Sequence, residues 1–148
     1  MTNEIHIKWN PALGRGEWVT STDKLTGADD LVTAVLISLM SDRVAQPNDD
    51  IPDGTTDRRG HWTDEAPYYV GSRLWLLVRR KQDNKTLHDA FAYIQEALQW
   101  LIDDKVVARF GITVQWTQKS MLGAKVTAYK SDGSIQPMNF NWAWDGLV

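Results

Sequence analysis

Three stretches in the last third of the chain alternate between apolar and polar positions. Phe110, Ile112, Val114 and Trp116 are separated by Gly111, Thr113 and Gln115. Leu122, Ala124, Val126 and Ala128 are separated by Gly123, Lys125 and Thr127, and Met138, Phe140, Trp142 and Trp144 by Asn139, Asn141 and Ala143. A period of two puts successive side chains on opposite faces of a strand. With the turn signal Ser131-Asp132-Gly133-Ser134, the pattern predicts three antiparallel strands, each with one apolar face that helices must cover. Near the N-terminus Ile5, Ile7 and Trp9 alternate with His6 and Lys8. Breaks at Asn10-Pro11 and Gly14-Arg15-Gly16 precede Trp18-Val19, which predicts a hairpin over residues 4–20.

Between these strand signals the period changes to that of a helix. Leu31, Val35 and Leu39 share a stripe flanked by Val32, Leu36 and Met40, so a helix is expected from Leu31 to about Arg43 or Val44, capped by Asp29 or Asp30 and buried on most sides. Leu87, Phe91, Ile94, Leu98 and Leu101 recur at i+3/i+4 with Ala90 and Ala97 beside them. Thr86-Leu87-His88-Asp89 reads as the capping box that opens this second helix, which should end between Asp103 and Lys105. A third, short helix is expected after Ser72 as N-cap, through Leu74-Trp75-Leu76-Leu77-Val78, with Arg79-Arg80-Lys81 at its C-terminus. The fold class is α+β: a single domain over residues 1–148, with the C-terminal antiparallel sheet and the N-terminal hairpin covered by about three helices.

Residues 45–70 show no period and carry Pro47, Pro52, Gly54, Gly60 and Pro67. A loop of this length inside a small domain points to function. From Ser41 to Glu65 there are seven acids and three bases. From Arg73 to Lys85 there are five bases and one acid. Adjacent blocks of opposite sign are read first as mutually complementary, and second as a nucleic-acid patch.

Composition narrows the chemistry. The 148 residues, 43% of them apolar and 24% charged, suit one globular domain with a core that needs no staples. There is no Cys, which removes disulfides, Cys-zinc sites and thiol catalysis. A net charge of −3 disfavours a DNA-wrapping surface. No basic n-region precedes an apolar run, so no signal peptide is expected, and Leu31–Met40 is too short to span a membrane. Trp, at eight residues, outnumbers Phe and Tyr together. Trp75, Trp100 and Trp116 lie in apolar patterns and are expected in the core, whereas Trp62 sits in the charged loop.

Candidate catalytic and metal motifs fail on spacing. Asp49-Asp50-Ile51-Pro52-Asp53-Gly54 would need a ligand at Ile51 and a bidentate Glu at Gly60 to form a calcium loop. His6, His61 and His88 are too far apart in sequence for a His-x-x-x-His zinc motif. Asp57, Asp64 and Glu65 beside Trp62 suggest glycoside chemistry, but neighbouring Arg58 and Arg59 oppose the raised pKa that a general acid needs. No P-loop, Gly-x-Ser-x-Gly or dinucleotide fingerprint is present.

Three motifs, in this order, carry a resemblance: Asp57-Arg58-Arg59-Gly60-His61-Trp62, Gly71-Ser72-Arg73-Leu74-Trp75-Leu76-Leu77 and Glu96-Ala97-Leu98-Gln99-Trp100-Leu101-Ile102. The chain resembles the Mu-type phage tail baseplate wedge family, which is related to the small wedge protein of contractile-tailed phages and to the sheath-nucleating baseplate protein of type VI secretion. Asp57-Arg58-Arg59 stands where the type VI relatives have Glu-Pro-Arg, and His61 where a second Trp is expected. The resemblance implies a non-enzymatic structural subunit without cofactor or metal. It implies several copies in the virion tail baseplate, assembled from the host cytoplasm, with other wedge proteins and the tail sheath as partners rather than nucleic acid or membrane. Asp57, Arg58, Arg59, Trp62, Arg73, Trp142 and Trp144 are the interface or structural candidates. A glycan-binding or lysozyme-like tail module and a nucleic-acid-binding domain are the alternatives.

Overall fold

The C-terminal alternation folds into a three-stranded antiparallel meander in which every strand pairs with its neighbour in sequence. A computed structural model describes residues 4–10, 15–21, 27–66, 68–77, 80–118 and 121–143, with side chains described among those from 31 to 140 other than 118. The elements are β1 (Glu4–Asn10), β2 (Arg15–Ser21), α1 (Gly27–Met40), a 3-10 helix (Arg73–Leu77), α2 (Asn84–Asp103), β3 (Arg109–Gln118), β4 (Met121–Tyr129) and β5 (Ile135–Ala143). β3-β4-β5 form one sheet, while β1 and β2 pair antiparallel as a separate sheet, with Ile7 opposite Trp18. β1 runs beside α1.

β4 is central and carries the apolar face, with Leu122, Ala124, Val126 and Ala128 buried. Val126 lies opposite Ile112 on β3 and Met138 on β5, and Ala124 opposite Phe140. Pro137 is accommodated because β5 is an edge strand. The turn from β4 to β5 is fixed by Asp132, which accepts from the Ser134 N–H and hydroxyl at 2.8 and 2.6 Å. These bonds to the ionised form hold the Asp132 carboxyl below its ordinary value, the Ser134 hydroxyl contributing most. α1 and α2 cover the sheet. Leu31, Val35, Leu36 and Leu39 of the first helix meet Ile94, Ala97, Leu98 and Leu101 of the second in one core with β4 and β5.

Several expected boundaries move. α1 starts at Gly27, so Asp29 and Asp30 fall inside its first turn rather than at the cap, where negative charge still meets the positive end of the dipole. It ends at Met40, and Ile37 and Met40 are exposed, so its apolar stripe is wider than its buried face. α2 is capped three residues earlier than the capping-box reading. Asp83 is the N-cap, its Oδ1 accepting from the Thr86 N–H at 2.9 Å, and that backbone bond is the main cause of the lowered Asp83 pKa. The third helix is a single 3-10 segment ending at Leu77, so Arg80 and Lys81 lie beyond it and Arg80 instead pairs with Asp89 at 2.8 Å. Ser72 does not cap it. Its hydroxyl donates backwards to the Leu39 carbonyl at 2.7 Å.

α2 ends in a Schellman arrangement that no glycine announces. Lys105 N–H reaches the Ile102 carbonyl at 3.0 Å and Val106 N–H reaches that of Leu101 at 3.0 Å, with Lys105 itself at φ +61°.

Candidate functional site

Residues 41–72 leave α1 and return to the same point. Arg43 N–H donates to the Ser72 carbonyl at 3.0 Å, and Ser72 N–H to the Ser41 carbonyl at 2.8 Å. Together with the Ser72 hydroxyl on Leu39, this return satisfies carbonyls that the C-terminus of α1 would otherwise leave open. The closure needs Gly71. Its φ is +98°, and a Cβ there would stand 2.5 Å from the Ser41 carbonyl oxygen.

The body of the loop is pinned by Arg73. Its guanidinium makes two parallel bonds to Glu96 of α2, Nε to Oε1 at 2.8 Å and Nη2 to Oε2 at 3.0 Å, and Nη1 reaches Asp49 of the loop at 3.0 Å. The same group lies 4.4 Å from the centre of the Tyr93 ring. The Arg73 side chain is only 12% exposed. Desolvation opposes its charge, but bonds to Glu96 and then Asp49 outweigh it, so the pKa is raised. Burial raises the Tyr93 pKa as well. Arg43 adds a second cation 3.5 Å from Glu96.

The other candidates occupy the outer part of the loop. Arg59, at φ +55°, stacks its guanidinium 4.4 Å over buried Trp75 and pairs with Asp42 at 2.5 Å. The Asp57 carboxylate accepts the Arg59 N–H at 3.0 Å and is exposed. Arg58 donates to the Gln46 carbonyl rather than to an acid. Trp62 is 91% exposed and stacks on His61, with ring centroids 5.6 Å apart. Asp64 accepts from the N–H groups of His61 and Val70 at 2.8 and 2.9 Å. The Asp57 and Asp64 carboxylates are therefore committed to backbone donors of their own loop. Trp142 lies in β5 opposite Leu122, its side chain outside the described part, and Trp144 lies outside the described residues.

Two bases of the block Arg73 to Lys85 are engaged in ion pairs. Arg73 serves Asp49 and Glu96, and Arg80 serves Asp89. Of the three tryptophans expected in the core, Trp75 is buried, with its indole N–H on the Arg43 carbonyl at 2.8 Å. Trp116 is half-buried, while Trp100 is 44% exposed. Trp100 lies one turn beyond buried Ala97, at the edge of the buried stripe of α2 and not within it. It lines a surface cavity of about 550 Å³ between the end of α1, the end of α2 and loop residues Tyr69 and Val70. Sequence reasoning missed this cavity, since its walls come from three separate segments. Among the described residues no helix is long and apolar enough to cross a membrane, and no cluster of metal-ligating side chains occurs.

Comparison with known proteins bears out the resemblance to a Mu-type baseplate family. A model of the phage protein GP46 family matches residues 31–135, from α1 to the start of β5. The baseplate protein gp46 of Escherichia phage Mu is 37% identical over 147 residues, covering 97% of this chain and 99% of the Mu protein. The Mu-like prophage FluMu protein gp46 of Haemophilus influenzae is 31% identical over 144 residues, covering 96% of this chain and 98% of its own length. The matched span contains α2, the clamped loop and all of α1 after its first turn, and the chain belongs to the GP46 phage protein family.

Proposed function

We propose that the chain is a structural, non-enzymatic subunit of a phage tail baseplate, and that its loop 41–72 is a docking platform for neighbouring wedge proteins and the tail sheath. The name of the phage Mu relative supports the baseplate role. The observation that carries the platform is Trp62, 91% exposed on a loop that Arg73 ties to α2 through Glu96 and to itself through Asp49. A large indole held in water on a rigid mount costs little ordering on binding, which is the profile of an interface anchor. In this reading Asp57, Arg58 and Arg59 shape the platform, and Trp142 and Trp144 contribute a further contact at the end of β5. Several copies act in each baseplate, reached from the host cytoplasm.

The test is complementation of tails lacking the chain. Wild-type protein restores complete baseplates in negative-stain images. Trp62→Ala folds normally by circular dichroism and leaves baseplates incomplete. Full restoration by Trp62→Ala refutes the platform. A glycan-binding reading also draws on exposed aromatics, Trp62 and Tyr68. Quenching of tryptophan fluorescence by peptidoglycan fragments would favour it.

A further inference from the structure

The cavity beside Trp100 has a built apolar wall and an uncompensated acidic end. Trp100 Nε1–H donates to the Ser38 hydroxyl at 2.8 Å, and that hydroxyl donates to the Ala34 carbonyl at 2.8 Å. Ser38 is buried. The relay fixes the indole plane and satisfies its only polar atom from within, so the part of Trp100 left in water is hydrocarbon alone. Ile37, also exposed, and Val70 continue the wall, and Tyr69 is held by Arg43, which lies 5.5 Å from its ring centre.

Asp103 and Asp104, one turn beyond Trp100, also line the cavity. They sit at the C-terminus of α2, whose last turn contains no basic residue. Carboxylates there oppose the helix dipole, so this placement costs the isolated protein stability. Asp103 accepts one bond, from Gln99 at 3.0 Å, and the Asp104 carboxylate has no side-chain partner among the described residues. The other charged lining residues are already paired: Glu96, two turns before Asp103 on the same helix, is held by Arg73 and lies 3.5 Å from Arg43. Lys105 comes next in sequence but does not line the cavity.

An apolar wall with its polar atom satisfied, ending at two carboxylates and a negative helix end, complements a segment that carries a large apolar side chain next to a Lys or Arg. We infer that this groove binds such a basic, amphipathic segment of a neighbouring protein in the assembled particle. The inference rests on the baseplate reading and deepens it. It assigns a second contact, separate from Trp62, and states what its partner looks like.

The decisive variant is Asp103→Lys/Asp104→Lys. Lysines suit the end of α2, so this protein folds and melts at or above the wild-type temperature. In tails complemented with it, incorporation of the chain falls roughly tenfold or more. A photo-crosslinking residue placed at Gln99, on the cavity wall, should join wild-type chain in finished particles to a peptide of another protein with Lys or Arg beside a large apolar residue. Incorporation equal to wild type overturns the inference while leaving the baseplate reading intact. Crosslinks only to a second copy of this chain, or to a peptide without basic residues, also overturn it. Absence of the wild-type chain from particles defeats both readings together.

Discussion

Arg73 and Glu96 are 23 residues apart and meet through two parallel hydrogen bonds, at 2.8 and 3.0 Å, in a site shielded from water. The fork geometry matches a carboxylate as no lysine can. The remaining guanidinium nitrogen holds Asp49, so a single side chain joins α2, the 3-10 helix and the loop.

Removing that side chain leaves Glu96 with Arg43 at 3.5 Å as its remaining cation and Asp49 with only the Gln46 N–H. Arg73→Met should therefore destabilise the protein by about 3–5 kcal/mol, the cost of orphaning buried partners of an ion pair. Arg73→Lys should lose roughly half as much, since it keeps the charge and one contact. Urea denaturation measures both. Equal midpoints for wild type and Arg73→Met would show that the clamp contributes nothing.

Gly71→Ala is expected to be worse than its size suggests. The residue sits at φ +98°, and its new methyl would meet the Ser41 carbonyl oxygen at 2.5 Å. Strain of about 1–3 kcal/mol arises from the backbone alone, and relief of the clash would open the loop closure. Gly133→Ala, also at positive φ but in open space, should cost less. Thermal melts of the two variants give the ranking.

Lys105→Gly should stabilise the chain. Lys105 occupies the left-handed C′ position of α2 at φ +61°. Glycine enters that region without the Cβ penalty of about 1–2 kcal/mol, less the extra freedom it brings to the unfolded chain. A net gain near 1 kcal/mol in chemical denaturation is expected.

The acid limb of stability should carry a signature of Asp83. Its folded pKa lies below the ordinary value of 3.8 because the ionised form accepts from the Thr86 backbone N–H. A depressed carboxyl stabilises the fold above its unfolded pKa, and that contribution fades as pH falls through the folded value. Asp132 acts in the same direction. Asp83→Asn keeps an acceptor at the cap but does not titrate, so its melting temperature should decline less steeply than wild type below pH 4. Parallel curves would show that the cap is insensitive to ionisation.

The β3-β4-β5 meander is legible in the sequence because one buried face imposes alternation on every strand. α2 is legible in its body but not at its start. Thr86 and Asp89 offer a capping pattern, yet the nearby Asp83 captures the Thr86 N–H first. Its end is hidden because Lys105 takes a place that glycine usually marks. Trp100 reads as core because its apolar neighbours conceal that it lies at the edge of the buried stripe, one turn from Ala97. The opposite charge blocks point to a loop that pairs with the segment after it, and Arg73 to Asp49 is such a pair. Glu96, the better partner of Arg73, has no marker in either block.

The meander and α2 close only short stretches of chain, whereas Trp100 reaches Ser38 across 62 residues. The entropy of closing a loop grows with its length, so residues 84–143 can gather before α1 and the loop join them. Pulse-labelled hydrogen exchange during refolding should protect β4 before α1. The surface formed where α1, the loop and α2 meet then comes into being at the last step of folding. If the groove binds a neighbour as inferred above, that contact would select finished subunits, because a partly folded chain would offer the neighbour nothing to grip.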